Sequence, residues 1–438
     1  MHQLPEGGIR LYVTKTRQFT RNARLVLLYS AFNGLVFGVF QFVFNFYILS
    51  LGYDEAFIGM LQTLSSLAAM LIALPAAYVA ERFSQKRVMV LMALFNVLSI
   101  AGIVLFPQRG LLIAFRILAG MSMLVKQVVI APFLMSNTSA DERQWVFSFN
   151  FGLMTVSGFV GSLLGGLLPL WLGGLVNAAP TDTLAYQLAM ASMMLVAATA
   201  ALPLALIRMP RQTQPRVAPR PWQQLREHGR SLTRFLLPQL IIGLGAGLMQ
   251  PFMNIYFRHV YHVADAPISI VFAIGGLAMA IAQFLGPPLA DKYGKIGVVI
   301  QTQVVSIPFL LTLGLGAWLA PSGLVDPSVW FIVASVAFIF RLALMNLSNP
   351  VYQTFVLEHV PERVQALAMS LSSISFQFGW FIMPQLSGWL QVRFGAFGFV
   401  PIFGLVTLFY GAGTLMQWAF FVRRQPTARG EWLAARGE

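Results

Sequence analysis

The chain has 438 residues, 57% of them hydrophobic and only 10% charged, against roughly 25% charged in soluble domains. Lys and Arg number 29 against 15 Asp plus Glu, a net charge of +14. Cysteine is absent, which excludes disulfides, thiolate metal sites and cysteine nucleophiles, and the five histidines (His2, His228, His259, His262, His359) lie in tails, loops or at span ends without metal-ligand spacing.

Apolar runs long enough to cross a hydrocarbon core of about 30 Å as helices recur along the whole chain. The short alternating segments of a membrane β-barrel are not what is seen. Twelve spans are predicted, over 25–51, 56–80, 88–106, 111–135, 145–170, 186–208, 235–257, 267–290, 297–320, 329–352, 365–390 and 396–422. The fold class expected is an all-α membrane protein. Residues 1–24 contain no apolar core, so no cleavable signal peptide is expected, and the first span reads as a retained helix. With the N-terminus inside, 23 of the 29 basic residues fall on one face and three (Arg109, Arg258, Arg393) on the other. That asymmetry predicts both termini in the cytoplasm. Topology and anionic lipid heads account for the positive charge, and no nucleic-acid partner is expected.

In the first span the stretch GVFQFVFNFY runs from Gly38 to Tyr47. At about 100° per residue, Gly34, Gly38, Gln41 and Asn45 share one narrow wedge of the helix. In the seventh span GLMQPFMNIY, from Gly247 to Tyr256, repeats the pattern 209 residues later with Gly243, Gly247, Gln250 and Asn254. Lipid cannot satisfy an amide side chain, so both stripes are expected to face protein or a water-filled cavity. Two readings stay open for the amides, interhelical hydrogen bonding of the Gly-x-x-x-Gly kind or contact with a substrate. Tyr47 and Tyr256 point away from the stripe and are expected near the outer interface as anchors. Pro251 removes a backbone hydrogen bond and is expected to kink span 7.

The loop after span 2 reads YVAERFSQKR, and the one after span 8 follows PLADKYGK, with Glu81 and Asp291 210 residues apart. SADERQW after span 4 is echoed by HVPERVQ after span 10, with Glu142-Arg143 and Glu362-Arg363 220 apart. Such carboxylates are attracted to helix N-termini. Three cations lie inside spans, Arg116 and Lys126 in span 4 and Arg341 in span 10. Each is expected to cost about 2.5–3.5 kcal/mol near mid-span. Arg116, Met123 and Gln127 share a stripe, as do Arg341, Ser348 and Tyr352. Arg116 is close enough to its span end to snorkel. No Asp or Glu lies within a span interior. Between spans 6 and 7 the Pro- and Arg-rich segment PRQTQPRVAPRPWQQLREHGR reads as a linker over 209–233, dividing the chain into six-span bundles at 1–208 and 234–438.

On these features the chain resembles the major facilitator superfamily of secondary transporters. The family's loop signature is Gly, three residues, Asp, Arg, any residue, Gly, then two basic residues. The first copy here has Ala77 for Gly, Glu81 for Asp, then Arg82, Ser84 for Gly, Gln85 for a base, Lys86 and Arg87. The second has Pro287 for Gly, then Asp291, Lys292, Gly294 and Lys295. RILAG in span 4 is similar to the family's Arg-x-x-x-Gly pattern, whereas GFVGSLLGG in span 5 lacks the Gly-Pro pair of its drug antiporters. The resemblance implies two pseudo-symmetric six-helix bundles with substrate at their interface. It also implies a gating role for Glu81, Arg82, Arg87, Glu142, Arg143, Asp291, Lys295, Glu362 and Arg363.

The function expected is secondary active transport of a small molecule by alternating access. Candidate substrate contacts are Gln41, Asn45, Arg116, Lys126, Gln127, Gln250, Asn254, Arg341 and Tyr352. Span-interior cations without span-interior carboxylates favour an organic anion or amphipathic acid. The alternatives are a multidrug/proton antiporter of the same fold and a non-transporting membrane sensor or scaffold. An intramembrane enzyme would need a clustered nucleophile, acid pair or metal site, and none is visible. No cofactor is expected. The partners expected are a small-molecule substrate and the lipid bilayer, with protons as a candidate coupling ion, in a monomer of the plasma membrane, or the inner membrane if the cell is bacterial.

Overall fold

The computed structural model describes residues 19–137, 140–207 and 221–423, which contain α-helices and short 3-10 turns and no strand. The helices are α1 (Arg21–Ser50), α2 (Glu55–Arg82), α3 (Gln85–Leu105), α4 (Arg109–Asn137), α5 (Ala140–Leu175), α6 (Thr183–Leu206), α7 (Pro221–Met249), α8 (Met253–Tyr261), α9 (Asp265–Tyr293), α10 (Lys295–Leu319), α11 (Pro327–Glu358), α12 (Glu362–Phe394) and α13 (Phe399–Phe421). Each predicted span has its helix. Span 7 is divided between α7 and α8 by a 3-10 turn over Gln250–Phe252. Pro251 sits in that turn, where its missing N–H and its ring break the regular ladder.

Short polar caps end the spans. Asp54 accepts a hydrogen bond from the Phe57 N–H at 2.8 Å before α2, and Asp326 accepts one from the Ser328 N–H at 2.8 Å before α11. Gly294 joins α9 to α10 at φ +79°, a conformation that favours glycine. Large apolar side chains such as Leu71, Leu195, Ile332 and Leu408 remain exposed, as lipid-facing helices require.

The contacts group the chain into two compact units, one of residues 1–43 and 71–217, the other of 44–70 and 218–438. Within the first unit α3 packs on α4 and α6, and α5 on α6. The α1 glycines lie against α5. A Cβ on Gly38 would run into the Gly158 carbonyl oxygen, and one on Gly161 into the Leu35 carbonyl oxygen. Val26, Met89, Val129, Phe133 and Leu204 form the apolar centre of this unit.

Within the second unit α7 packs on α12 and α13, α11 on α9 and α10, and α10 on α13. Here α7 lies against α12 as α1 lies against α5. A Cβ on Gly243 would meet the Phe376 carbonyl, and one on Gly379 the Gly243 backbone. The Gly-x-x-x-Gly stripes therefore serve close helix packing in each unit.

The expectation for the tyrosines is corrected. Tyr47 and Tyr256 are both fully buried. The Tyr256 hydroxyl donates to the Leu313 carbonyl oxygen at 2.8 Å and lies 2.8 Å from the Tyr261 hydroxyl. Phe257, Phe399 and Phe403 meet its ring edge-on. Such ring pairs contribute about 0.5–1.5 kcal/mol each beyond burial. Packing and a satisfied hydroxyl hold Tyr256 inside the helix cluster.

Candidate functional site

The first unit holds a small pocket among α1, α3, α4 and α6. Tyr29, Asn33 and Val36 of α1, Ala93 and Asn96 of α3, Lys126 of α4, and Ala197 and Ala200 of α6 line it. It has room for about one water molecule. Small alanine side chains on α3 and α6 leave the space, and Lys126 Nζ donates to Asn33 Oδ1 at 3.1 Å. Among the described residues no carboxylate pairs with Lys126. A cation taken from water with only neutral partners is costly, and an anionic group at this point would offset that cost. Asn33 and Asn96 are additions to the sequence-derived set. The lone Asn96 in the apolar run LFNVLS was the available signal for one of them.

Arg116 also belongs to α4, with its guanidinium 5.5 Å from the centre of the Phe40 ring. Gln127, next to Lys126, is exposed, and so is Gln41.

In the second unit Arg341 is only 1% exposed. Its guanidinium lies 4.9 Å from the centre of the Tyr410 ring, a cation–π contact. Its Nε and Nη2 find no hydrogen-bond partner among the described residues. Tyr352, about three helical turns further along α11, donates to the Phe235 carbonyl oxygen at 2.8 Å and ties α11 to α7.

The repeated amides are brought together. Asn45 Nδ2 donates to the Pro251 carbonyl oxygen at 2.6 Å and to Asn254 Oδ1 at 3.0 Å. Asn254 Oδ1 also accepts from the Ile255 N–H at 3.0 Å. The 3-10 turn exposes a carbonyl oxygen to which the span 1 amide can donate, so the break at Pro251 and the position of Asn45 form one arrangement. Gln250 lies half-buried in the same turn.

Of the candidate gating residues, Arg87 and Asp291 are exposed, and Lys295 pairs with Glu358 at the end of α11. The side chains of Glu81, Arg82, Glu142, Arg143, Glu362 and Arg363 lie outside the described residues. Two further contacts had no motif to announce them: Glu55 Oε1 lies 3.4 Å from His259 Nδ1, and Arg258 forms an ion pair with Asp265. Arg258 also stands 3.7 Å from the centre of the Phe46 ring.

Residues 26–384 and 240–436 match the sequence profile of the Major Facilitator Superfamily. No curated protein sequence matches the chain. Among solved structures, the nucleoside transporter NupG superposes with a TM-score of 0.70 at 14% identity, over 93% of this chain and 100% of that one. A bacterial homologue of the human lysosomal transporter Spinster, inward-facing and unoccupied, gives 0.71 at 16% identity, over 91% and 96%. A D-xylose–proton symporter gives 0.66 at 17% identity, over 90% and 97%. At these identities the likeness is one of fold.

Proposed function

Since the chain belongs to the Major Facilitator Superfamily, we propose that it is a secondary active transporter of an organic anion or amphipathic acid, working by alternating access. The observation that carries this reading is the Lys126 pocket, in which a cation meets neutral amides and no described carboxylate. Lys126 reads the negative group of the substrate, and Asn33 and Asn96 supply neutral hydrogen-bonding groups beside it. Arg341 is the span-interior cation of the second bundle, and the phenylalanines of span 1 suit an apolar body. A proton-coupled exporter of cationic drugs favours an acid within its spans, and none stands there in the sequence.

The moving bodies in this proposal are the bundles 1–208 and 234–438, joined by the linker 209–233. Both termini face the cytoplasm of a cell whose plasma membrane holds the protein. The exchanged or co-transported proton travels on the substrate itself.

Binding tests the reading. Purified protein is screened by thermal shift against anionic, neutral and cationic metabolites, and the strongest ligand is titrated into Lys126→Gln. Affinity for an anion is expected to fall roughly 10- to 100-fold, the loss of one charge-assisted hydrogen bond of about 1.5–3 kcal/mol. A cationic ligand, or an anion bound equally well by the variant, would refute it.

A further inference from the structure

Near the middle of α11, Arg341 takes part in a ring of buried side chains drawn from α10, α11 and α13. The Tyr410 ring lies against its guanidinium, 4.9 Å from centre to carbon. One turn on from Tyr410, the Thr414 hydroxyl reaches the Tyr410 carbonyl oxygen at 2.8 Å and Gln303 Oε1 at 3.0 Å. On α10 the Ser306 hydroxyl reaches the Gln303 carbonyl oxygen at 2.7 Å and Met345 Sδ at 3.3 Å. Met345 stands one turn beyond Arg341 on the same face of α11, which closes the ring. Arg341 is the only charged member. Its Nε and Nη2 are both buried without a hydrogen-bond partner among the described residues.

These two nitrogens form one edge of the guanidinium, and their N–H bonds run parallel, a fork that matches the two oxygens of a carboxylate. We infer that this edge of Arg341 is a carboxylate-binding site, at which the second unit takes the acid group of an organic acid. No Asp or Glu lies within a span interior, so the carboxylate comes from a ligand. A buried charge with no partner is costly, and a pair formed away from water is strengthened by the low dielectric around it. The shape of the edge selects the anion. A planar carboxylate asks for two parallel donors. A tetrahedral oxyanion brings a third oxygen, and the ring's two hydroxyls, on Ser306 and Thr414, already turn to Gln303, Met345 and Tyr410. Met345, unbranched and flexible, is the ring member that yields most readily to an entering group. The site rests on the anion-transport reading for its role and narrows the negative group of the substrate to a carboxylate.

Small anions test the edge. Sodium acetate, chloride and methanesulfonate are titrated at constant ionic strength into purified full-length protein, and apparent affinities are taken from the rise in unfolding midpoint. Acetate is expected to bind the parent about tenfold more tightly than either of the others, the weight of one further charge-assisted hydrogen bond. Arg341→Lys keeps a charge but loses the paired donors, so its preference for acetate should fall to within about twofold. Arg341→Gln should show no preference. General effects of salt on stability are common to parent and variants and cancel in the comparison. Arg341→Gln removes an unpartnered charge and serves alone if Arg341→Lys fails to fold. Equal affinities for the three anions in the parent overturn the inference, and so does an acetate preference kept in either variant. A preference kept in Arg341→Gln but lost in Lys126→Gln would move the carboxylate to Lys126 and leave the transport reading standing. A preference lost in both Arg341 variants, in a protein that carries no organic anion across liposomes, would uphold the site and refute transport.

Discussion

Asn45 and Asn254 show how much a single residue can carry between distant parts of a sequence. Their hydrogen bond joins two positions 209 residues apart, and both side chains are buried. Removing one partner takes one hydrogen bond from the other, which keeps its bond to the Pro251 carbonyl or the Ile255 N–H, at a net cost of about 0.5–1.5 kcal/mol. Asn45→Leu and Asn254→Leu should each lower the midpoint of thermal unfolding in detergent. The double variant should lose less than the two single losses added, with a coupling of about 0.5–3 kcal/mol. Strict additivity would show that the two amides act independently. The sequence displayed the amides and their shared wedge. It could not display that each was the other's partner, because helical periodicity places a side chain on a face and says nothing of what that face meets. The Lys126 pocket was half legible for the same reason. The lysine stood out by its cost in a membrane helix, whereas Asn33 faces away from the amide stripe of its own span and drew no notice.

At the scale of elements, helix length and apolar content predicted every span, and Pro251 announced the break in span 7. The buried tyrosines were misjudged because an amphipathic ring near a span end suits an interface and a packed cluster equally. Tyr256 lies inside because Leu313 and Tyr261 satisfy its hydroxyl there. The glycine stripes make a sharper prediction. Gly38→Ala and Gly243→Ala would each force a methyl into the backbone of a neighbouring helix. Overpacking of this kind costs about 1–3 kcal/mol, so both variants should show a lower unfolding midpoint and a smaller monodisperse fraction. Gly404→Ala meets no atom within 4 Å and should be at least as stable as the parent, given alanine's better helix propensity. Parent-like midpoints for Gly38→Ala and Gly243→Ala would mean that α1 and α7 do not approach their neighbours so closely.

For the whole molecule, repeats were the most informative signal. The paired stretches in spans 1 and 7 and the paired loops after spans 2 and 8 pointed to a duplicated six-span plan, and the family match over most of the chain agrees with that fold. The grouping of residues 44–70 with the later spans was not legible, since contacts made by one end of a helix leave no periodic trace. Reporter fusions at position 215 and at the C-terminus should both report the cytoplasm, as the 23-to-3 division of basic residues predicts. Opposite reports would refute the topology. The most direct test of the transport proposal is flux. Protein reconstituted in liposomes should carry a labelled organic anion, saturably and in exchange with the unlabelled compound, while Lys126→Gln, inserted to the same level, should carry it far less. Flux restricted to a neutral sugar, a nucleoside or a cation, or equal anion flux through Lys126→Gln, would contradict the account.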